Sequence, residues 1–137
     1  MAECVKFKAD WILIYPDVIL GPFENAITPE GFGLVASQIA AAPAPWLALG
    51  SDMTTSFVLG ETFRVPVSIV TQDGNVVRFR TQLTPAQANG DHQKLSIFLG
   101  GTATPGSGIM LNQLRQPFSK ASNQILTVEC RIYIVSG

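Results

Sequence analysis

Near the end of the chain, Leu126, Val128, Cys130, Ile132 and Ile134 alternate with Thr127, Glu129, Arg131 and Tyr133. A period of two turns one set toward a core and the other toward water, so Gln124 to Val135 reads as a half-buried strand. Val77, Phe79, Thr81 and Leu83 alternate in the same way with Arg78, Arg80 and Gln82. The strand Asn75 to Leu83 is preceded by Arg64 to Thr71, and Gln72-Asp73-Gly74 between them signals a hairpin. Pro66 marks the first arm as an edge or bulged strand, because proline cannot donate to a ladder. Trp46 to Leu49, Lys94 to Leu99 (Leu95, Ile97 and Leu99 on one side) and Ile109 to Leu114 add further strands. At the front, Val5 to Tyr15 has β-branched and aromatic weight and stops at Pro16. Asp17 to Ile27 reads as an extended arm with a turn at Gly21-Pro22.

One segment has helical spacing. Thr28 suits an N-cap, Pro29 the first helical position, and Glu30 the positive end of the helix dipole. Phe32, Val35, Ala36 and Ile39 then form a stripe, and Pro43 and Pro45 end it. The pattern implies a mainly β fold: an antiparallel β-sandwich of about seven strands with one short N-terminal helix. No repeat or linker divides the chain. Residues 1–27 form a strand and docking arm, and residues 28–137 a single folded unit.

Composition adds a partner. Of 137 residues, 47% are hydrophobic and 14% charged, against roughly 25% charged in an ordinary domain. Such a surplus of apolar side chains points to a surface that another molecule covers. The net charge of -1 gives no basic footprint for nucleic acid. No apolar run approaches the roughly 20 residues of a membrane-spanning helix. The N-terminus lacks the basic and apolar regions of a signal peptide, so folding in a cytoplasm is expected. Cys4 and Cys130, each on or beside a strand, read as reduced buried thiols or as a clamp between the first and last strands.

Candidate chemistry is sparse. His92, the one histidine, falls in the Asn89-Gly90-Asp91-His92 turn and reads as a solvated surface residue. Asp52, Glu61 and Asp73 lie in or near loops, and no pair suggests an acid/base couple. Arg78 and Arg80 share one strand face, which reads as solvated or as a protein contact. The stretch Gly100 to Gly108 has no Lys-Ser/Thr behind it and is no phosphate cradle. It reads as a mobile or partner-ordered loop. No catalytic, cofactor or metal site is expected.

From Thr28 onward, several segments stand in a recurrent order. They are Thr28-Pro29-Glu30-Gly31, Leu47-Ala48-Leu49-Gly50, Gly60-Glu61-Thr62-Phe63-Arg64 and Gly74-Asn75-Val76-Val77-Arg78-Phe79. Ala88-Asn89-Gly90, Gly106-Ser107-Gly108-Ile109-Met110-Leu111-Asn112 and the last strand, Ile125 to Val135, follow. This order resembles small tailed-phage virion structural proteins related to the N-terminal domains of tail-collar and tail-fibre proteins.

The resemblance implies a non-enzymatic structural protein of a tailed bacteriophage virion, made in the host bacterial cytoplasm. The first 27 residues have no counterpart, so Val18, Ile19, Leu20 and Phe23 are expected to form a partner interface. Glu61 and Arg64, matched by position, are expected to form a structural ion pair fixing the loop before the hairpin. No fibre shaft follows the matched region, which favours a compact capsid decoration (cement) protein stabilising the capsid lattice. A tail, baseplate or fibre-attachment adaptor is the alternative, and a glycan-binding module a further one. Expected partners are the major capsid protein or tail components and further copies of the chain, as a trimer or dimer. Neither nucleic acid nor membrane is expected as a partner.

Overall fold

The computed structural model describes residues 2–137, and side chains from Lys6 onward apart from that of Asn25. Among the described residues, ten strands and one helix follow in the order β1 (Ala2–Phe7), β2 (Ala9–Ile14), β3 (Ile19–Asn25), α1 (Pro29–Ala40), β4 (Trp46–Gly50), β5 (Glu61–Pro66), β6 (Ile69–Asp73), β7 (Val76–Leu83), β8 (Gly90–Leu99), β9 (Ile109–Lys120) and β10 (Leu126–Ser136). The fold is mainly β. Two four-stranded sheets, ordered β1-β10-β7-β6 and β5-β4-β8-β9, share one core, and β2 and β3 form a sheet of their own.

The alternating strands carry the first sheet. Val77, Phe79, Thr81 and Leu83 of β7 are all buried, as are Ile132 and Ile134 of β10. These two strands pair antiparallel, Ile132 opposite Val77 and Cys130 opposite Phe79. Asn75 adds a second tie, since its Nδ2 donates to the Ile134 carbonyl at 2.8 Å. Between β6 and β7 the ladder closes at Asp73 and Val76, which leaves a two-residue loop. Gly74 takes its first central position at φ 58°, a conformation the hairpin turn requires and glycine adopts without strain.

Helix α1 is capped as its sequence implies. Thr28 Oγ1 accepts from the Gly31 amide at 3.1 Å, and Pro29 opens the first turn. Phe32, Val35, Ala36 and Ile39 join the same apolar cluster as Leu47, Leu49, Val77, Phe79, Ile132 and Ile134. The helix therefore helps fill the sandwich rather than lying apart from it.

Four local expectations change. The front strand is broken at Lys8: β1 runs parallel to β10, with Ala2 opposite Arg131 and Phe7 opposite Ser136, whereas β2 leaves the sheet. Phe7 packs on the core, so the segment outside the sandwich is the hairpin of residues 9–25 rather than the whole of 1–27. Arg64 to Thr71 is likewise two strands, β5 and β6, which lie in different sheets and part just after Pro66. The turn placed at Gly21-Pro22 lies instead at Pro16-Asp17, where the Tyr15 amide donates to the Val18 carbonyl at 2.8 Å. Proline presets the backbone angle of such a turn's second residue.

His92 is the fourth change. It sits inside β8, 5% exposed, with its ring 5.1 Å from that of Phe118 and Nε2 2.7 Å from the Ala88 carbonyl oxygen. Pairing of β8 with β9 continues to Gly90 opposite Lys120, so the expected surface turn is ladder. The Cys4 side chain lies outside the described residues. Cys130 faces the interior, and its Sγ accepts from Asn112 Nδ2 at 3.2 Å.

Candidate assembly surface

The arm is a hairpin built by register. β2 and β3 pair antiparallel, Asp10 opposite Glu24, Trp11 opposite Phe23, Leu13 opposite Leu20 and Ile14 opposite Ile19, with a bulge between Trp11 and Leu13. Neither strand belongs to a larger sheet. An isolated two-stranded hairpin is at best marginally stable in water, and three strands or a packing partner are needed for independent stability.

Its surface makes the need for a partner sharper. Of sixteen large hydrophobic side chains exposed among the described residues, nine lie between Trp11 and Phe23. Trp11 is 63% exposed, Ile14 76% and Ile19 66%. The four interface candidates read from sequence, Val18, Ile19, Leu20 and Phe23, are all exposed here and all on the turn or on β3. The interface expected from sequence left out their companions Trp11, Ile12, Leu13 and Ile14, which it placed in one continuous strand from Val5 to Tyr15 ahead of the arm. The signal that could have found them was Lys8 and Asp10 interrupting the apolar run just before Trp11.

A smaller apolar patch lies on the body. Met53, Phe57 and Val58 are exposed on the loop after β4, and Ile109 at the start of β9. Phe57 reaches Met110, Leu111 and Asn112 around a shared surface hollow. This loop is held from beneath by Lys94, which is fully buried. Lys94 Nζ donates to Asp52 Oδ1 at 2.8 Å and to the carbonyls of Ser56 and Val58 at 2.9 and 2.7 Å. All three ammonium protons are thus used, the condition under which a buried charge is tolerated. The Lys94 hydrogen bond, followed by those from Thr54, lowers the Asp52 carboxyl to about 2. Sequence reading passed over Lys94 because its partners lie 36–42 residues away.

Glu61 and Arg64 do meet, and what they hold is larger than the loop before the hairpin. Arg64 Nε and Nη2 donate to Glu61 Oε2 and Oε1 at 3.0 and 2.9 Å, a two-pronged pair with both side chains nearly buried. Arg64 Nη1 continues to the carbonyls of Thr102 and Ser107 at 2.9 and 3.0 Å. Glu61 Oε1 also accepts from the Gly106 amide at 3.1 Å. The guanidinium lies against the Phe98 ring at 4.8 Å and the Trp46 ring at 5.8 Å. A Cβ on Gly101 would come within 2.9 Å of Trp46 and 3.2 Å of Arg64 Nη1, so only glycine lets the chain pass so close. The glycine-rich stretch, expected to be mobile or ordered by a partner, is instead stitched down by one ion pair of its own chain. Planar bidentate geometry makes arginine suited to this role.

No family model, curated protein or solved structure matches this chain. Its surface must be read on its own chemistry. Among the described residues no three His, Cys, Asp or Glu side chains gather as a metal site, and no helix is long and apolar enough to cross a membrane. Arg78, Arg80 and Arg131 share the outer face of β7 and β10 with Glu129, which bonds Arg131 Nε at 2.7 Å and lies 3.5 Å from Arg80 Nε. The Arg131 hydrogen bond keeps the Glu129 carboxyl below its usual range.

Proposed function

We propose that the chain is a non-enzymatic structural protein of a tailed-phage virion, acting as a capsid decoration protein. The observation that carries an assembly role is the β2–β3 arm, which projects nine large apolar side chains into water from a sandwich with its own core. An exposed patch of this kind marks an interaction surface. The assignment to a virion rests on the ordered segments from Thr28 to the C-terminus. In this reading the chain self-associates, and its apolar surfaces bridge neighbouring capsid subunits. Each interface of standard size buries roughly 1,600 Å² in total, so many copies add up to a stabilised shell.

The test is co-sedimentation of the purified chain with heads and, separately, with tails of the phage that encodes it, prepared without its gene. Saturable binding to heads, with greater resistance of those heads to heat, is the expected result. Binding to tails alone would move the chain to the adaptor role. Binding to neither would overturn the virion reading.

A further inference from the structure

The outer face of the sheet β1-β10-β7-β6 gathers positive charge that the fold itself does not use. Of the nine lysines and arginines in the chain, Arg64, Lys94 and Lys120 are buried with acceptors of their own. Four of the other six, Lys6, Arg78, Arg80 and Arg131, stand on this face, since register turns them away from Val77, Phe79 and Ile132. Helix α1 and the second sheet pack on the inner side. Against these four cations the face carries Glu129 near its centre and Asp73 at one corner.

The centre of the patch works against folding. Arg78 of β7 and Arg131 of β10 are directly opposite each other. Such cross-strand neighbours stand about 5 Å apart at Cβ, and like charges there are destabilising. Arg80 is opposite Glu129, whose carboxylate already bonds Arg131 Nε at 2.7 Å and lies 3.5 Å from Arg80 Nε. Arg78 is half-buried and makes no hydrogen bond or ion pair among the described residues. One carboxylate therefore serves three guanidiniums. A local rule broken without compensation inside the molecule marks a functional position.

We propose that this face docks an acidic segment of another protein, one carboxylate of which sits between Arg78 and Arg131. The surface is separate from the arm, so the inference goes beyond the assembly role given to the arm. Two guanidiniums side by side offer a carboxylate the paired, charge-assisted hydrogen bonds that arginine makes best. Arg78 and Arg80, two residues apart on one strand, repeat at about 7 Å, the spacing of alternate side chains on an extended peptide. A partner strand with acids at every second position matches both. Carboxylates are favoured over the phosphates of a nucleic acid for two reasons. The chain's net charge of -1 gives no long-range attraction to a phosphate backbone. Glu129 also stands within the patch, where it repels a continuous run of phosphates but leaves room for spaced carboxylates.

The experiment titrates the full chain into a fluorescein-labelled peptide of alternating glutamate and serine and follows anisotropy at low salt. Saturable binding of one peptide per chain is expected, with none to the matching glutamine-serine peptide. Arg78→Gln and Arg78→Lys are each expected to weaken binding by about tenfold or more, because lysine keeps the charge but not the paired donors. Arg115→Gln, on β9 of the other sheet, is expected to bind as wild type. Since Arg78 opposes Arg131, Arg78→Gln is also expected to melt no lower than wild type. Lack of saturable binding would overturn the proposal, as would wild-type binding by Arg78→Lys, which would mean diffuse charge alone. A melt of Arg78→Gln well below wild type would overturn it too, because the arginine would then serve the fold. Tighter, Arg78-dependent binding of an oligothymidylate would assign the face to phosphates instead. Self-association of the wild type that Arg78→Gln abolishes would assign it to the chain's own carboxylates, and either result would overturn the proposal.

Discussion

Arg64 Nη1 stands 2.7 Å from Ser107 Oγ across 43 residues of chain. The same hydroxyl oxygen accepts from the Thr102 amide at 2.9 Å and lies 2.7 Å from the Thr104 carbonyl oxygen. One small side chain thus organises the loop from Gly100 to Gly108 around a guanidinium already engaged by Glu61. The loop's own sequence offers almost no apolar anchor, so its order is imposed by polar contacts from the neighbouring strand β5.

Breaking that arrangement gives graded effects. Ser107→Ala removes an acceptor from Arg64 and Thr102, and is expected to cost about 1–3 kcal/mol. Arg64→Ala strands Glu61 in a nearly buried site and is expected to cost about 3–5 kcal/mol. Arg64→Lys keeps the charge but loses the fork, and falls between them. Urea melts rank the three variants, and limited proteolysis reports cleavage between residues 100 and 108 in the same order. Equal stability of Arg64→Ala and wild type would mean that the loop is held by something else.

Ile132→Asp tests the core. Ile132 is 1% exposed and faces Val77 across the ladder. An unpaired carboxylate there is expected to cost several kcal/mol against a total stability of about 5–15 kcal/mol. The variant should lack a cooperative thermal transition by circular dichroism. Arg131→Glu, one residue away on the outer face, is expected to keep a cooperative melt, lowered by the loss of the Glu129 partner.

Truncation separates β1 from the arm. Removing residues 1–8 takes away the strand beside β10 and uncovers the core where Phe7 lies. A lower melting temperature is the expected outcome, together with aggregation through the exposed edge of β10. Excision of residues 9–25 should leave the melting temperature within a few degrees of wild type. If the two deletions behave alike, β1 is not part of the sandwich.

The Asp52–Lys94 pair predicts an acid response. Asp52 titrates near 2 in the folded protein and near 3.9 when unfolded. On acidification the unfolded chain therefore takes up this proton first, and stability falls. The contribution is complete above the unfolded value and is lost as pH drops through about 2. Asp52→Asn removes it at every pH. The gap in melting temperature between wild type and variant should accordingly be widest above pH 5 and narrow steadily toward pH 2. A gap independent of pH would mean that the carboxylate charge does not stabilise the loop.

What the sequence determined by itself is what depends on near neighbours. The alternation in β7 and β10, the Thr28 cap of α1 and the tight turn at Gly74 all appear where the residues imply. Each is set by side-chain direction or backbone angle within a few positions. The pairing of Glu61 with Arg64 was implied by the resemblance rather than by the residues themselves, and it forms across only three positions. Tertiary structure decided the rest. Alternation states which side of a strand is apolar, but it is silent on which strand lies alongside. Hence a continuous run from Val5 to Tyr15 could divide between a parallel strand of the sandwich and a free hairpin. Likewise Arg64 to Thr71 could divide between two sheets. Phe98, apolar on the face opposite Ile97, hinted that both sides of β8 are covered. Only the fold brings the loops from Asp52 to Val58 and Gly100 to Gly108 over that second side. There they bury Lys94 and enclose Arg64, whose partners lie up to 43 residues away along the chain.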